Sequence, residues 1–522
     1  MKTLDETKGV IKMFHCSRFT HTPPANFPRM RSCIEKISDD FRVWVNGEEA
    51  TVYTCRISKI PFNTIWPGYQ RPIDQTELAS FVNIVSDEAV TLEVEVLNRQ
   101  YKDVMLRPFS EQIPFEEKDG KIKFTLNGDG QYVLALDDLH KPLFIFNTHP
   151  IECPDPDAVT YYFGAGVHMP GKITLHDNES VYVDKDALVY GCIYAENASN
   201  LHIFGNGVFD DAGEARFSRP CYGPYTNGNI KFYDCNNVKV EGVLFRDSAM
   251  WCVNVFHCFD VEMDNIKVFG QWRYNTDGVD IVNSQRVTLK NSFVHSFDDS
   301  VTIKGIDNYI ETDNRDMLID NCVLWCDWGK TCELGLETAC RRYENITFRG
   351  CDIIRSGNTA LDIQNGDCAE ISNILYENIS VEFNSYDLEP VYQSTLEQKY
   401  PENPKMIHPW LINIVNYRFR SDMWCSDTDP GKIPMIHAPL DLEGIQQATA
   451  HDITFRNITV YYDERIPKVD GRFNTPICVH SCIEGVKHYN ISVSGVTING
   501  VPADENNVVM QVWSAENFKF TH

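Results

Sequence analysis

The sequence predicts an all-β protein: a right-handed parallel β-helix preceded by an N-terminal β-sandwich domain. A five-residue unit, apolar-x-apolar-x-(Gly or Asn), recurs along the C-terminal two thirds of the chain. Short segments in which apolar and polar residues alternate, with turn residues between them, fill roughly the first 150 residues. We therefore expect a sandwich at 1–150 and a β-helix at 151–522, with an insertion at about 379–452.

The N-terminal segment shows period-2 alternation, for example at 41–47 and 90–96. Such strands, separated by turn residues, are typical of an antiparallel sandwich. No catalytic constellation is visible there. The loop Trp66-Pro67-Gly68-Tyr69-Gln70 could contact a ligand, but an ordinary aromatic loop is the simpler interpretation.

The repeated unit ends on a residue that can adopt positive φ. Between Gly242 and Asn378 its final positions lie 23 to 30 residues apart. Strand-length units at this period predict coils stacked about 4.8 Å apart, with Gly or Asn where the chain turns. A leucine-rich repeat has a similar period, but its leucine–asparagine consensus and helical segments are not present. The units end at Gly205, Gly242, Asn265, Asn291, Asn321, Gly350, Asn378, Asn457 and Gly495.

Two stretches interrupt this period. One, between 205 and 242, contains an aromatic and Gly/Pro-rich segment at 217–228. Long excursions from a solenoid often wall a binding groove, although a covering flap or an oligomer contact explains them equally well. The other is the insertion at 379–452, which holds His408, Trp410, Arg418, Arg420, Trp424 and His437.

Composition restricts the partners. The net charge of -27 disfavours nucleic acid, anionic membranes and acidic polysaccharides. No stretch of 18 apolar residues is present, so we expect no membrane span. The N-terminus has no apolar signal segment, which predicts a cytoplasmic protein, or a secreted one if the sequence is trimmed. The oligomeric state stays open, a homo-oligomer included.

The 18 cysteines are scattered, without a short-spaced ladder. The pairs Cys322/Cys326 and Cys332/Cys340 lack the second half of a zinc-binding pattern. We expect buried thiols in a reducing compartment, and neither a metal nor a cofactor.

Three aspartates lie at two places in this repeat that are about one coil apart. Asn275-Thr276-Asp277-Gly278 precedes Asp298-Asp299, and Asp277 and Asp298 are separated by 21 positions. Stacked coils would bring them together, and close carboxylates raise the pKa of at least one. One protonated and one ionised carboxyl are what glycoside hydrolysis requires. Aspartates that only cap turns are the alternative, which explains one such residue better than three.

Together with Ile303-Lys304-Gly305, these motifs resemble the signature of glycoside hydrolase family 28, the polygalacturonases, and of the related family 49, the dextranases and isopullulanases. The resemblance covers the C-terminal two thirds, and the sandwich followed by 161–168 is more similar to family 49. It implies an inverting hydrolase. By position, Asp298 would be the general acid, while Asp277 and Asp299 would activate the attacking water. The resemblance supports the three aspartates as a catalytic group more strongly than it supports Asp298 as the acid among them.

Two departures from family 28 bear on the substrate. The Gly-His-Gly turn of polygalacturonases reads Gly329-Lys330-Thr331, and their Arg-Ile-Lys triplet, which holds the galacturonate carboxylate, reads Asp362-Ile363-Gln364. An acid in place of the arginine repels a uronate. With the negative net charge, this favours a neutral α-glycan or oligosaccharide, in the manner of a dextranase or isopullulanase.

The candidate substrate-binding residues surround the aspartates in sequence. The acidic and amide side chains could accept hydrogen bonds from sugar hydroxyls, and the aromatic ones could stack on sugar faces or pack in the core. The basic ones could contact the sugar or form ion pairs with the aspartates. The candidates are Asn275, Lys304, Arg273, Tyr274, Trp272, Lys330, Glu333, Glu337, Asp362 and Gln364, with Trp251 and Trp328 as further aromatics.

We predict a metal-independent glycoside hydrolase whose partner is an oligosaccharide or polysaccharide. Short substrates and exo action are a further hypothesis, which depends on a cytoplasmic location. The alternatives are a polygalacturonase-like hydrolase of uronides and a non-catalytic glycan-binding β-helix. A lyase or epimerase would need calcium or an Arg/Lys group to neutralise a carboxylate, and the loss of the basic triplet counts against it.

Overall fold

The computed structural model describes residues 37–64, 71–213, 228–367, 369–395, 397–406, 409–416 and 448–522, together with two short backbone strands before residue 13. The loop at 66–70, most of the aromatic segment at 217–228, and His408, Arg418, Arg420, Trp424 and His437 of the insertion lie outside the described residues. Within those ranges no helix has the length and apolar character needed to cross a membrane.

Strands dominate the described chain, and its helical residues form four short 3₁₀ turns. These are Ile73–Gln75, Phe109–Glu111, Pro156–Ala158 and Asp307–Tyr309. Strands β1 to β13 are Thr3–Leu4, Ile11–Lys12, Phe41–Val45, Glu48–Ala50, Tyr53–Ser58, Phe62–Asn63, Thr76–Val85, Val90–Val96, Val104–Arg107, Phe115–Lys118, Lys121–Leu126, Gly130–Leu136 and Asp138–Thr148.

The N-terminal part of the chain forms the predicted β-sandwich. Its sheets have the strand orders β10-β11-β8-β3-β4 and β5-β7-β13-β12-β9. Alternate residues such as Val43, Leu92 and Leu134 are fully buried between them. The second sheet is not wholly antiparallel, because β13 pairs in parallel with β7. A long stretch that includes strands of the other sheet separates these two, so no hairpin fixes their direction.

The remaining strands confirm the parallel β-helix, since all but β37 belong to one 32-stranded sheet that winds from coil to coil. Strands β14 to β46 are Tyr161–Phe163, Gly166–Leu175, Ser180–Val183, Ala187–Glu196, Ser199–Gly205, Val208–Asp210, Ile230–Tyr233, Asn236–Glu241, Leu244–Arg246, Val253–Phe256, Phe259–Asp264, Lys267–Phe269, Val279–Val282, Gln285–Lys290, Phe293–Ser296, Val301–Gly305, Asn314–Asp320, Val323–Cys326, Lys330–Thr338, Arg342–Arg349, Asp352–Arg355, Thr359–Asn365, Glu370–Phe383, Val391–Tyr392, Trp410–Asn416, Thr449–Tyr462, Phe473–Ser481, His488–Ser494, Thr497–Ile498, Val501–Pro502, Val508–Val512, Ala515–Glu516 and Lys519–Thr521.

Each central coil contributes one strand to each of three faces. The repeat sheet (β18, β21, β24, β27, β30, β33) carries the repeated units found in the sequence. The site sheet (β20, β23, β26, β29, β32, β35, β38) follows the chain on another face. The sandwich-facing sheet (β19, β22, β25, β28, β31, β34) is the third. Strand β38 lies inside the predicted insertion, so part of that segment continues the coil.

The turns after the repeated units have the predicted conformation. All nine final residues have positive φ, between 51° and 129°. Their side chains also stack: Asn321 Nδ2 donates to Asn291 Oδ1 at 2.8 Å, and Asn291 Nδ2 donates to Asp264 Oδ1 at 2.9 Å. These amide ladders satisfy polar groups at successive turns of the solenoid.

The sandwich covers one face of the β-helix. Phe81 packs edge-on against Phe269 with ring centroids 4.9 Å apart, and Phe146 lies 5.3 Å from Phe293. Phe144 contacts Trp325 on a later coil, at 5.7 Å. This aromatic interface, together with neighbouring aliphatic residues, forms one buried cluster. The site sheet lies on a different face from the one that the sandwich covers.

Cysteines lie mostly inside the coils. Cys322, Cys326 and Cys332 are buried and form no disulfide. The Sγ of Cys322 donates to the backbone oxygen of Asp320 at 3.3 Å, and that of Cys326 to the backbone oxygen of Asp298 at 3.1 Å. These residues behave as small apolar side chains with a weak donor, as expected from the sequence.

Candidate active site

The three aspartates lie in turns that lead from the sandwich-facing sheet into the site sheet. Asp277 precedes strand β26 (Val279–Val282), and Asp298 and Asp299 precede strand β29 on the next coil. The backbone N–H of Gly278 donates to the backbone oxygen of Asp299 at 2.8 Å, and the backbone N–H of Asp298 donates to the backbone oxygen of Thr276 at 3.3 Å. Backbone pairing of adjacent coils thus brings together the carboxylates that the sequence pointed to.

A glycine of the following coil allows the aspartates to approach it closely. A Cβ on Gly329 would lie 2.3 Å from Asp299 Oδ1 and 2.7 Å from Asp298 Oδ1, closer than real Cβ contacts. The next backbone N–H, that of Lys330, donates to Asp299 Oδ1 at 2.9 Å. The conformation of this turn therefore fixes one carboxylate and leaves room for the other.

Lys304 is the central cation of the site. Its Nζ lies 2.9 Å from Asp277 Oδ2, 3.1 Å from Asp280 Oδ1 and 4.0 Å from Asp299 Oδ2. It also lies 3.9 Å from the ring centroid of Trp251. Of the two roles considered for Lys304, sugar contact and ion pairing, the structure shows ion pairs, and Trp251, a candidate for sugar stacking or core packing, lies over the ammonium. All of these side chains are buried, which strengthens their electrostatic interactions.

Asp280, fully buried in strand β26, is a site residue that the sequence motifs did not indicate. The alternation within that strand could have indicated Asp280, because the residues on either side of it, Val279 and Ile281, point into the core. A charged residue between two core positions of a site-sheet strand faces the same side as the catalytic candidates.

The carboxyl groups differ in protonation. Burial, with the negative charges of Asp299 and Asp277, raises the pKa of Asp298 well above its usual range. Burial raises the pKa of Asp277 to about 6, against the lowering effect of Lys304. Burial also acts on Asp299, but Lys330, Lys304 and hydrogen bonds outweigh it and lower its pKa. The surroundings thus favour the protonated form of Asp298 and the ionised form of its neighbour Asp299.

A polar row continues from these aspartates along the site sheet. Asp280, Thr302, Glu333, Asp362 and Asn413 are aligned residue by residue in the strand register. Lys330 Nζ lies 3.2 Å from Glu333 Oε1 and 3.6 Å from Asp299 Oδ1. The structure thus brings two more predicted site residues to the aspartates.

Asp362, at the place of the arginine in the basic triplet, is held by neutral donors. Asn413 Nδ2 donates to its Oδ1 at 2.7 Å, and Gln364 Nε2 donates to its Oδ2 at 2.7 Å. Burial raises the pKa of Asp362 to about 6, although Lys330 and both amides lower it. Gln364, a predicted sugar-binding residue, thus has its amide hydrogen bonded to Asp362.

Three predicted residues beside Asp277 lie in the protein interior. Trp272, Arg273 and Tyr274 are each about 2% exposed. The Trp272 indole donates to Asp247 Oδ1 at 2.8 Å, and the Arg273 guanidinium lies 3.2 Å from the same oxygen. Tyr274 donates to Gln75 Oε1 at 2.9 Å. Stacking on a sugar needs an exposed ring face, so we interpret both aromatic rings as packing residues.

The other candidates lie at the margins of the site. Asn275 is partly exposed and occupies a left-handed turn with φ of 53°. Glu337 is partly exposed near the end of strand β32. Trp328 is partly exposed, and its indole donates to the backbone oxygen of Val391 at 3.0 Å. Within the described ranges no three His, Cys, Asp or Glu side chains are arranged to hold a metal ion.

Comparison with known proteins agrees with this geometry. The solved structure "Dex49A from Penicillium minioluteum" superposes with a TM-score of 0.62 at 13% identity, over 97% of this chain and 98% of that one. This similarity confirms the fold.

Curated relatives match shorter regions. "Probable rhamnogalacturonase A" of Aspergillus oryzae is 26% identical over 31% of this chain and 32% of its own length. "Probable endopolygalacturonase D" of Neosartorya fischeri is 29% identical over 24% and 29%, and "Polygalacturonase QRT2" of Arabidopsis thaliana is 25% identical over 40% and 56%. The matches thus span from under a third to somewhat over half of these relatives.

The family comparison covers more of the chain. Residues 159–421, half of the sequence, match the family described as "Glycosyl hydrolases family 28". The match includes the three aspartates, Lys304 and the polar row. The resemblance to family 28 drawn from the motifs is thereby confirmed, and the chain belongs to glycosyl hydrolase family 28.

Proposed function

We propose that this enzyme hydrolyses a glycosidic bond of a pectin-type, galacturonate-containing glycan, with inversion at the anomeric carbon. The observation that carries the chemistry is the clustering of buried Asp277, Asp298 and Asp299, in which Lys304 and Lys330 lie beside Asp299 and the surroundings shift the pKa values of Asp298 and Asp299 in opposite directions. The activities in the relatives' names support the substrate class: rhamnogalacturonase, endopolygalacturonase and polygalacturonase. They favour the uronide alternative over the neutral α-glycan that the sequence suggested.

Asp298 is the proposed general acid. Its raised pKa favours the protonated carboxyl, which can donate its proton to the glycosidic oxygen as the bond breaks. The leaving sugar then departs as a neutral alcohol. Asp298 becomes a carboxylate, which regains a proton from solvent before the next turnover.

Asp299 and Asp277 are the proposed bases. Asp299 is ionised because Lys330, Lys304 and backbone hydrogen bonding offset its burial. Asp277 is ionised above about pH 6 and shares Lys304 with it. One of them takes a proton from water as the water oxygen attacks the anomeric carbon from the face opposite the leaving group. The base then releases this proton to solvent, while Asp298 takes one up, so the cycle consumes one water and no net proton.

A uronate needs a partner for its carboxylate, and Lys330 with Glu333 can provide one. Lys330 occupies the place of the family's histidine, and its side chain is 18% exposed. Burial and Asp299 raise the pKa of Glu333 well above its usual range, and Glu333 Oε2 has no hydrogen-bond partner among the described residues. Glu333 is fully buried, and in its protonated form it leaves the positive charge of Lys330 available to a uronate, whereas an ionised Glu333 would offset that charge.

A neutral α-glycan is the second candidate substrate, favoured by Asp362. This carboxyl replaces the arginine of the basic triplet and contacts two amides rather than a cation. Such a group accepts hydrogen bonds from sugar hydroxyls, and when ionised it repels a uronate seated over it.

The test is a hydrolysis screen on polygalacturonate, a rhamnogalacturonan backbone, methyl-esterified polygalacturonate and neutral α-glucans, with the product anomer followed by NMR. Asp298→Asn is compared with Asp260→Asn, a matched change at an exposed ion pair on the repeat sheet. We expect cleavage of an acidic glycan with inversion, at least a 1,000-fold loss in Asp298→Asn, and wild-type rates in Asp260→Asn.

Lys330→Met then separates the two substrate classes. On the proposed function it raises KM for polygalacturonate much more than for its methyl ester, since the ester carries no charge. Cleavage of the α-glucans alone would replace the pectin-type substrate with the neutral one. A retained anomeric configuration, or full activity in Asp298→Asn, would overturn the mechanism.

A further inference from the structure

A segment from the N-terminal part of the chain reaches the aspartates. Strand β6 (Phe62–Asn63) pairs in parallel with β37 (Val391–Tyr392), apart from the sandwich sheets and the β-helix. Farther along, Arg71 donates to the Trp272 backbone oxygen at 2.9 Å and lies 4.2 Å from the ring centroid of Phe297. The N-terminal part thus contacts residues that precede each of the two turns carrying Asp277 and Asp298.

Asn63 makes the direct contact. It is 2% exposed, and its Nδ2 donates to Asp298 Oδ2 at 2.8 Å. The other end of the same amide is also engaged, because Asn63 Oδ1 accepts the backbone N–H of Thr64 at 2.9 Å. Reversing the amide would set its NH₂ group against the Thr64 N–H, two donors facing each other, so the donor end of Asn63 faces Asp298.

This donor distinguishes the two oxygens of the Asp298 carboxyl. An oxygen that accepts an N–H bond cannot also point a proton at the same donor, so the acidic proton belongs on Oδ1. Oδ1 is the oxygen on the side of Gly329, where a Cβ would lie 2.7 Å away. The hydrogen bond also restrains rotation of the carboxyl about its Cβ–Cγ bond.

We propose that Asn63 is a positioning residue for the acid step: it holds Asp298 so that Oδ1 carries the proton and presents it to the glycosidic oxygen. The inference rests on the proposed role of Asp298 and is independent of the sugar. It gives the N-terminal part of the chain a function in the reaction, in addition to covering one face of the β-helix.

The test compares Asn63→Ala with Asn83→Ala. Asn83 is a matched control because its Nδ2 also joins the N-terminal part to the β-helix, donating to the Asn206 backbone oxygen at 2.9 Å. Each variant is assayed on the glycan that the wild type cleaves and on the α-glycosyl fluoride of the same sugar chain. Fluoride leaves without being protonated, so its release does not need the acid.

We expect Asn63→Ala to lower kcat on the glycan at least tenfold, with KM within about twofold, and to lower the fluoride rate less than threefold. The basic limb of its pH profile moves to higher pH, because an N–H donor favours the ionised form of Asp298 and its loss raises that pKa. Asn83→Ala keeps wild-type values for both substrates.

Equal losses on the glycan and the fluoride would show that Asn63 only supports the fold, and would overturn the inference. So would an unchanged glycan rate in Asn63→Ala while Asp298→Asn is inactive. Full activity of Asp298→Asn would instead mean that the proposed function fails, which is a different result.

Discussion

Replacing Lys304 with methionine tests how the site sets its protonation states. The ammonium lies 2.9 Å from Asp277 and 4.0 Å from Asp299. With an effective dielectric constant of about 20, Coulomb's law gives about 6 kcal/mol at the shorter distance and about 4 kcal/mol at the longer. One pKa unit corresponds to about 1.4 kcal/mol, so even a quarter of the first value raises the pKa of Asp277 by about 1.

The expected result is a displaced pH profile. Without the cation, the ionised form of Asp277 loses stabilisation, so its pKa rises from about 6 toward about 7 or above. The acid limb of kcat/KM moves in the same direction, because the base acts only when ionised. At pH 5.5 the activity of Lys304→Met, relative to its own plateau at high pH, is roughly tenfold lower than that of the wild type. Raising the pH restores part of this activity.

Two controls separate this effect from damage to the fold. Lys304→Arg keeps the charge and should keep the acid limb near its wild-type position. Lys290→Met breaks a half-exposed ion pair with Glu262, 2.7 Å long, which is worth less than about 1 kcal/mol. In Lys304→Met, Asp280 stays buried without its cation, which costs about 3–5 kcal/mol of folding free energy. Thermal unfolding is therefore measured first, and rates are taken at temperatures well below the unfolding midpoint. If Lys304→Met loses the same factor at every pH, the electrostatic role assigned to Lys304 is wrong.

Two further changes test the glycine turn and the sandwich interface. Gly329→Ala should lower kcat at least 100-fold and also lower the unfolding temperature, because its Cβ would lie 2.3 Å from Asp299 Oδ1 and 2.7 Å from the Asp299 backbone nitrogen, so the carboxylate and the turn must both shift. Gly164→Ala, whose nearest contact is a tyrosine ring at 3.1 Å, should stay active, and a fully active Gly329→Ala would contradict the described turn. Phe144→Ala should reduce the free energy of unfolding in denaturant by about 3–5 kcal/mol, against less than about 0.5 kcal/mol for the exposed Phe115→Ala. Similar values for the two phenylalanines would refute the aromatic interface.

The sequence predicted the coil and its acidic site because both depend on local repetition. The residue that ends each unit must take positive φ, which only Gly and Asn do easily, so Gly242 and Asn265 marked their coils. A second row of residues with positive φ was not predicted from the sequence. Asp, Arg and Asn all occur in it, so no single residue type marks this turn. That row includes Asn200, Asn237, Asp260, Arg286, Asp316, Asn345 and Asn373.

Contacts between distant parts of the chain could not be read in the same way. Asn63 reaches Asp298 across 235 residues, and nothing in the local pattern of either segment indicates the other. The burial of Trp272 and Tyr274 has the same origin, since Gln75 and Arg71 of the N-terminal part lie against that turn. The parallel pairing of β7 and β13 also depends on chain topology rather than on the alternation within either strand.

The alternation of the site sheet has a consequence for how the enzyme can acquire a different specificity. The inward residues, such as Ile281, Ile303 and Leu334, form one uninterrupted apolar stack through the coils. The outward residues of the same strands, such as Asp280 and Glu333, form the polar row. Each coil contributes one such side chain, so a substitution in the polar row alters the surroundings of the aspartates at one coil only. Recognition can therefore change one coil at a time, while the residues that hold the solenoid together stay as they are.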